Sequence, residues 1–388
     1  MSASRRIESL DALRGFALLG ILLINIQVFS GYVFLGSEGR EVLAGSERDG
    51  QIQFLLDIAV SAKFYSLFSL LFGYSFVMLA QRMDHPARYH LRRMVGLIAI
   101  GAVHALLLWP WDILHVYGAV GLLLIPFLYA RASHLALAGL AVLALIIVVR
   151  WWLIETGHPV GRSELATTLL QAHTPAFRDG TWGEVIQANV YLTLATAIER
   201  LESMRPLRVL ALFLLGAAGA RLRLAEAGSG HRWILLAGAA VVLPSGLVLA
   251  WLHTRIGSEQ VDGLYLLVEV LAPVLTAIGY ATLLLALWRG SIAVARPLQR
   301  VLAPVGRMAL THYLLQSVVC IAIFYGFGLG RYAQEPLAHL VVVAVMIFAA
   351  QVVMSLLWLR FFRQGPVEWL WRWQIQRQRP DLLRKEQT

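Results

Sequence analysis

The sequence predicts an all-α polytopic integral membrane protein, and three observations carry that prediction. Of 388 residues, 59% are hydrophobic and only 14% charged, against roughly a quarter charged in soluble domains. Mean hydropathy is +0.68. Apolar stretches of about 20 residues, long enough to cross a bilayer as helices, recur from end to end. The short alternating segments of an outer-membrane barrel do not appear.

About ten such stretches follow one another. The first, roughly residues 13–33, comes after Arg5 and Arg6. It is too long for a signal-peptide core and no small-residue cleavage site follows, so it reads as a retained helix. The others lie at roughly 58–81, 93–110, 113–131, 134–153, 206–223, 232–252, 264–288, 302–326 and 337–360. The third and fourth form a tight hairpin about the turn "WPW". Arginines such as Arg82, Arg88, Arg92, Arg131, Arg221, Arg289 and Arg296 gather on one set of connections, while the other set holds few, such as Arg255 and Arg331. The positive-inside rule then puts both termini in the cytoplasm, and an even number of spans agrees.

Three stretches are not spans. Residues 34–52 form a polar outside loop. Residues 154–205 form the longest outside segment, within which "WGEVIQANVYLTLATAIERL" reads as an interfacial amphipathic helix. The tail from Phe361 interleaves Trp with Arg and suits the cytoplasmic headgroup layer. Residues 1–131 thus form an N-terminal transmembrane core, 132–205 the fifth helix with its long loop, and 206–388 a C-terminal transmembrane region with an amphipathic tail. No internal repeat is visible, nor a matched pair of Gly/Pro-broken helices of the kind that marks many transporter sites.

The net charge of +10 resides in arginines at the ends of apolar spans. That placement fits topology and anionic lipid headgroups rather than nucleic acid. Cys320, the only cysteine, lies in an apolar run, which excludes a disulfide framework and Cys-based metal sites. No P-loop, GxSxG, HExxH or dinucleotide-binding glycine pattern stands in a credible setting, and "GHPVG" and "GFGLG" read as ordinary loop glycines.

Three polar constellations remain. In "SLDALRGFALLGILLINI", Arg14 and Asn25 fall within about 20° of each other around the helix and about 16 Å apart along it. Asp11, three residues before Arg14, is placed to pair with it. This stripe serves either as an interfacial ion pair with an amide that glues helices together, or as the wall of a polar path. In the hairpin, His104 faces Asp112 and His115 across a short turn. A carboxylate-held His is a general base near neutral pH; the alternatives are a satisfied buried His or a weak metal site, and no metal is expected. In "GRMALTHYLLQS", His312 and Gln316 share one helix face, and Glu269 is a further intramembrane carboxylate. Ionisable residues in spans usually face an interior cavity. A common pocket lined by His115, Glu269, His312 and Gln316 is therefore expected.

The stretches "RIESLDALRGFALLGILLINI", "KFYSLFSLLFGYSF", "HALLLWPWDILHVYGAVGLLLIPF", "GRMALTHYLLQSVVCIAIFYGFGLG" and "GPVEWLWR" resemble, over nearly the whole chain, the YeiB-like family of bacterial membrane proteins with a DUF418 domain. The first also resembles a wider transmembrane acyltransferase superfamily that includes the acyltransferase-3 proteins and the heparan glucosaminide N-acetyltransferase. In acyltransferase-3 proteins an Arg in a comparable setting is followed eleven residues later by a His implicated in catalysis. Here Arg14 matches the Arg and Asn25 occupies the place of the His. The heparan enzyme also has an Asn there and a His shortly after the first helix, but "FSGYVFLGSEGREV" contains no His.

The resemblance implies a bacterial plasma-membrane enzyme that moves an acyl group from cytoplasmic acyl-CoA, acetyl-CoA among the candidates, to an outside hydroxyl or amine. The acceptor would be a small molecule, a glycan or a lipid-linked compound. Asp11 and Arg14 would hold the CoA end, Asn25 would stabilise the oxyanion, and His104, oriented by Asp112, would be the base. Membrane lipids are the expected partners, nucleic acid is not, and a homodimer is compatible with this reading. A transporter or flippase is the alternative, and a non-catalytic scaffold the third.

Overall fold

Inside a bilayer, apolar runs satisfy their backbone polar groups only by coiling into helices or closing a barrel. The computed structural model describes residues 8–43, 45–157, 164–226, 232–256, 263–290, 295–376 and 380–383. Among them are seventeen α-helices and no strand beyond one isolated bridge between Phe362 and Leu383. In chain order these are α1 Glu8–Phe29, α2 Ser37–Glu41, α3 Asp49–Ala59, α4 Lys63–Ala80, α5 Pro86–Leu107, α6 Leu114–Leu122 and α7 Ala132–Glu155. There follow α8 Glu164–His173, α9 Pro175–Asp179, α10 Trp182–Glu202, α11 Arg205–Arg221 and α12 Arg232–Ile256. The last are α13 Gly263–Trp288, α14 Ala295–Arg307, α15 Ala309–Phe324, α16 Leu337–Phe361 and α17 Pro366–Gln376. Arg5, Arg6 and most of "GHPVG" lie outside the described residues.

Among the described residues, seven helical stretches are long and apolar enough to cross a membrane, or up to nine if each of two bent pairs counts as one span. The chain is thus a multi-pass membrane protein. By that measure the expected fourth span falls short. Helix α6 is nine residues long, followed by a 3-10 turn at Ile125–Phe127. Its glycines explain why: a Cβ on Gly118 or Gly121 would run into Met94 on α5, so this segment lies tight against its neighbour rather than forming a free-standing helix.

The bent pairs correct a second expectation. Helices α10 and α11 meet at 65°, and α14 and α15 at 79°. The first break falls at Met204, held at φ +50° and followed by Pro206, and the second at Met308, four residues after Pro304. The second break lies in an apolar run interrupted only by Arg307, so hydropathy hides it; the first lies among Glu199, Arg200, Glu202 and Arg205, at the expected start of a span near residue 206. The segment read as a lone interfacial helix, α10, is capped by a reciprocal Thr181–Glu184 box. It packs through Asn189 and Thr196 onto the α5–α6 turn, its side chains donating to the carbonyls of Leu106 (3.3 Å) and Pro110 (3.2 Å).

Helix α1 stands at the centre, touching α4, α13, α14, α15 and α16. Its seam with α14 is backbone on backbone. A Cβ on Gly15 would come within 2.2 Å of the Leu302 carbonyl, and one on Gly306 within 1.7 Å of the Asp11 carbonyl. Small residues let helices approach this closely where no water is available to drive association. Away from this core, α7, α12 and α16 expose Leu140, Val148, Val241, Val248, Val345 and Val353, a surface suited to lipid.

Candidate functional site

A cavity of about 1190 Å³ runs beside α1, and residues from both ends of the bundle line it. At the end carrying α17 and the start of α1, its wall includes Asp11, Arg14, Arg82, Arg93, Arg307, Glu368 and Arg372. The middle is apolar, with Leu18, Ile21, Phe64, Phe68 and Phe72. The far end holds Asn25, Lys63, Arg200, Arg208, His253 and Glu269. The helical period explains why Arg14 and Asn25 share this wall.

Arg14 Nη1 donates to Asp11 Oδ1 at 2.6 Å, and its Nη2 donates to Ser75 on α4. Beside it, Arg93 lies over the rings of Phe72 and Trp371, 4.9 and 5.2 Å from their centroids. Trp371 belongs to α17, so the tail is part of the wall instead of lying free in the headgroup layer. Glu368 anchors it. Its carboxylate accepts from the Leu310 and Thr311 amides (2.7 and 3.1 Å) and the Thr311 hydroxyl (2.5 Å), at the N-terminus of α15. Burial raises the Glu368 carboxyl above its usual range, although those donors pull the other way. Asp49, from the polar loop, meets the Leu337 amide of α16 in the same manner at 3.0 Å.

Asn25 makes no side-chain hydrogen bond within the described residues. The His104–Asp112 pairing expected from the short turn is present: His104 Nδ1 lies 2.9 Å from Asp112 Oδ1. Yet the ring is 2% exposed and absent from the cavity wall, and its Nε2 sits 2.8 Å from Ser317 Oγ. Asp112 is the hub. It also engages the His115 amide and ring (3.1 and 2.9 Å) and accepts from the Tyr313 hydroxyl at 3.3 Å. Tyr313 and Arg200, whose guanidinium reaches His115 Nε2 at 3.1 Å, do line the cavity. The triad of Asp112, His104 and His115 therefore touches the cavity at one remove.

His312 and Gln316 are not brought to this cavity. His312 Nε2 lies 2.6 Å from Ser355 Oγ, and Gln316 donates to Gln351 at 3.0 Å, so both knit α15 to α16. Glu269 does line the cavity, held by Arg150 at 2.5 Å and Arg208 at 3.0 Å. Sequence reasoning missed Arg150, Arg208, Arg200, Tyr313 and Lys63. Each was visible as a charge or hydroxyl in the sequence, but the partners of all but Lys63 lie tens of residues away.

A family profile described as "Protein of unknown function (DUF418)" matches residues 218–378. The Bacillus subtilis (strain 168) protein YxaH, itself uncharacterized, is 31% identical over 387 residues, covering 95% of this chain and 94% of its own. The uncharacterized Escherichia coli (strain K12) protein YeiB is 31% identical over 396 residues, covering 94% of each. An uncharacterized 39.9 kDa protein of Bacillus acidopullulyticus is 28% identical over the full chain. No solved structure matches. Identity sustained from the α1 motif through the tail that closes the cavity, on top of the profile match, shows that the chain belongs to the YeiB-like DUF418 family.

Proposed function

We propose that this protein transfers an acyl group from cytoplasmic acyl-CoA to a hydroxyl or amine on the other side of a bacterial plasma membrane, through ten crossings with both termini in the cytoplasm. The observation that carries the reading is the single cavity joining an arginine-walled end to Asn25. At the α17 end, Arg14, with Asp11 orienting it, and its neighbours Arg93 and Arg372 meet the phosphates of CoA; guanidinium suits them by charge and by paired hydrogen bonds. The apolar middle admits the pantetheine arm and acyl chain. Asn25 donates its amide N–H to the thioester oxygen as negative charge develops there.

The acceptor oxygen or nitrogen attacks the thioester carbon, the C–S bond breaks, and CoA thiolate leaves. The acceptor proton passes by way of the Tyr313 hydroxyl to the Asp112 centre and then to the thiolate. His104 acts from behind, as a positioning residue that holds Asp112 and shares its proton. Acyl-CoA is a substrate here, and the reaction asks for no metal.

Transport of a solute is the second reading. The two sharply bent helix pairs favour it, since broken helices line many transporter sites. One experiment separates the two. Purified protein in nanodiscs is tested for binding and slow hydrolysis of acetyl-CoA and longer acyl-CoAs. Saturable binding is expected, lost in Arg14→Ala, with turnover falling about 10²- to 10⁴-fold in His104→Ala and Tyr313→Phe while binding persists. Absence of any acyl-CoA binding by folded protein overturns acyl transfer and leaves solute flux to be measured.

A further inference from the structure

Lysine occurs only twice in this chain, at 63 and 385, among 33 basic residues. Lys63 opens α4, is 4% exposed and lines the far end of the cavity. Its ammonium donates to the main-chain oxygen of Asp57 and has no carboxylate within ion-pair distance among the described residues. The Asp57 carboxylate, whose Oδ1 accepts from Gln53 (3.0 Å) and Ser61 (2.9 Å), acts on Lys63 from beyond ion-pair distance.

The other neighbouring carboxylates among the described residues are paired with arginines. Glu269 is held by Arg150 and Arg208, and Arg205 pairs with Glu199 at 3.5 Å. The Arg200 guanidinium meets the imidazole of His115, with no carboxylate within ion-pair distance among the described residues. The charges of Asp57, Lys63, Arg208 and Glu269 all bear on His253, whose Nε2 is buried on the same wall without a hydrogen-bond partner. A buried cation without a counter-ion in contact is costly, and a cavity is where a ligand can supply that contact.

We propose that Lys63, with Arg208 and His253, forms an anion site that binds the phosphate of the acceptor, a phosphate-bearing polyol. The site lies at the opposite end of the cavity from Arg14, so the anion it binds is separate from the CoA phosphates. A tetrahedral phosphate accepts from the compact ammonium, from the Arg208 guanidinium and from the imidazole N–H. Asp57 Oδ2 takes no hydrogen bond from the described residues and faces a polyol hydroxyl in this proposal. The same phosphate chemistry is offered by the headgroup of an anionic glycerophospholipid and by a soluble glycerol or sugar phosphate. The proposal deepens the acyl-transfer reading, since it names the class of acceptor.

The test uses wild-type protein in phosphatidylcholine nanodiscs and an amine-reactive reagent, with Lys385 as internal reference. Labelling of the two lysines is read by mass spectrometry, with phosphatidylglycerol in the disc, with glycerol phosphate in solution, or with neither. Protection confined to Lys63 is the expected result: by phosphatidylglycerol alone if the source is a lipid headgroup, by glycerol phosphate if it is soluble. The second readout is thermal unfolding. Either phosphate raises the Tm of wild type saturably, and Lys63→Met weakens that response at least about tenfold, the loss of one charge-assisted hydrogen bond. Lys63→Arg restores part of it.

No protection and no Tm response in wild type overturns the proposal, as does a Lys63→Met protein that responds like wild type. Should Lys63→Met not fold, or Lys63 not react, the Tm response of wild type to the two phosphates decides alone. Binding of acyl-CoA to the same wild-type preparation is measured in parallel. An anion response without acyl-CoA binding leaves this site standing and removes acyl transfer; acyl-CoA binding without an anion response does the reverse.

Discussion

Asn25 and Glu269 are both polar residues in apolar helices, and they predict opposite behaviour on substitution. The Asn25 side chain spends no hydrogen bond on the described residues, so Asn25→Ala leaves thermal stability close to wild type. It lowers acyl-CoA hydrolysis about 10²- to 10³-fold with little change in binding, as for the loss of one oxyanion donor. An amide that merely glued helices together would cost stability instead. Glu269→Ala removes the counter-ion of two buried arginines, Arg150 and Arg208. Breaking a buried pair by deleting one partner costs about 3–5 kcal/mol, and a melting curve reads it as a large fall in Tm. At this scale the legible part of the site was what one helix or one short turn fixes. Asp11, Arg14 and Asn25 are aligned by the helical period, and His104 meets Asp112 because only a tight turn separates their helices. The destinations of His312 and Gln316 were not legible, because which face of α15 meets α16 is decided by packing across the bundle.

The tail helix α17 is attached as much through one carboxylate as through its tryptophans. A carboxyl whose pKa is higher when docked takes up a proton on docking. Its contribution is therefore full below the ordinary Glu range, about 4.3, and fades as pH rises through the raised value. Limited proteolysis after Phe362 is expected to be slowest in mildly acidic buffer and to quicken as pH rises. Glu368→Gln, which stays neutral, keeps the tail docked with a flattened pH profile, while Glu368→Ala releases it at every pH. The tail's Trp/Arg composition indicated an interface but not which one. The same pattern suits a headgroup layer and a protein groove, and the choice was made by Thr311 and Gly365, where a Cβ would come within 2.1 Å of Glu368 Oε2.

For the whole molecule, the all-helical, multi-pass class was legible from composition alone, because a bilayer leaves apolar chain few options. The number of spans was less so. Hydropathy averages over windows longer than the bend at Met308, and it cannot tell the short α6 from a full helix. Sidedness is testable. Replacing Cys320, the only and buried cysteine, by Ser gives a background for single cysteines at Asp84 and Gly180. Ten crossings with cytoplasmic termini predict that an impermeant maleimide added to intact cells labels Gly180→Cys but not Asp84→Cys. The reverse pattern, or labelling of both, refutes that topology.

The seam between Gly15 and Gly306 sets a problem in time. Helix α1 leaves the ribosome well before the helix it rests on, which is encoded some 290 residues later; at 5–20 residues per second that is a wait of roughly 15 to 60 s. During that interval α1 sits in lipid with its glycine face open. Asp11, one turn away, neutralises Arg14 at once, and Ser75 arrives with α4, so the charge is masked long before the groove is filled. A nascent chain stopped before α14 should accordingly insert and then be lost to membrane proteases, while one stopped just after α15 survives, and pulse-chase labelling of staged truncations would display that threshold.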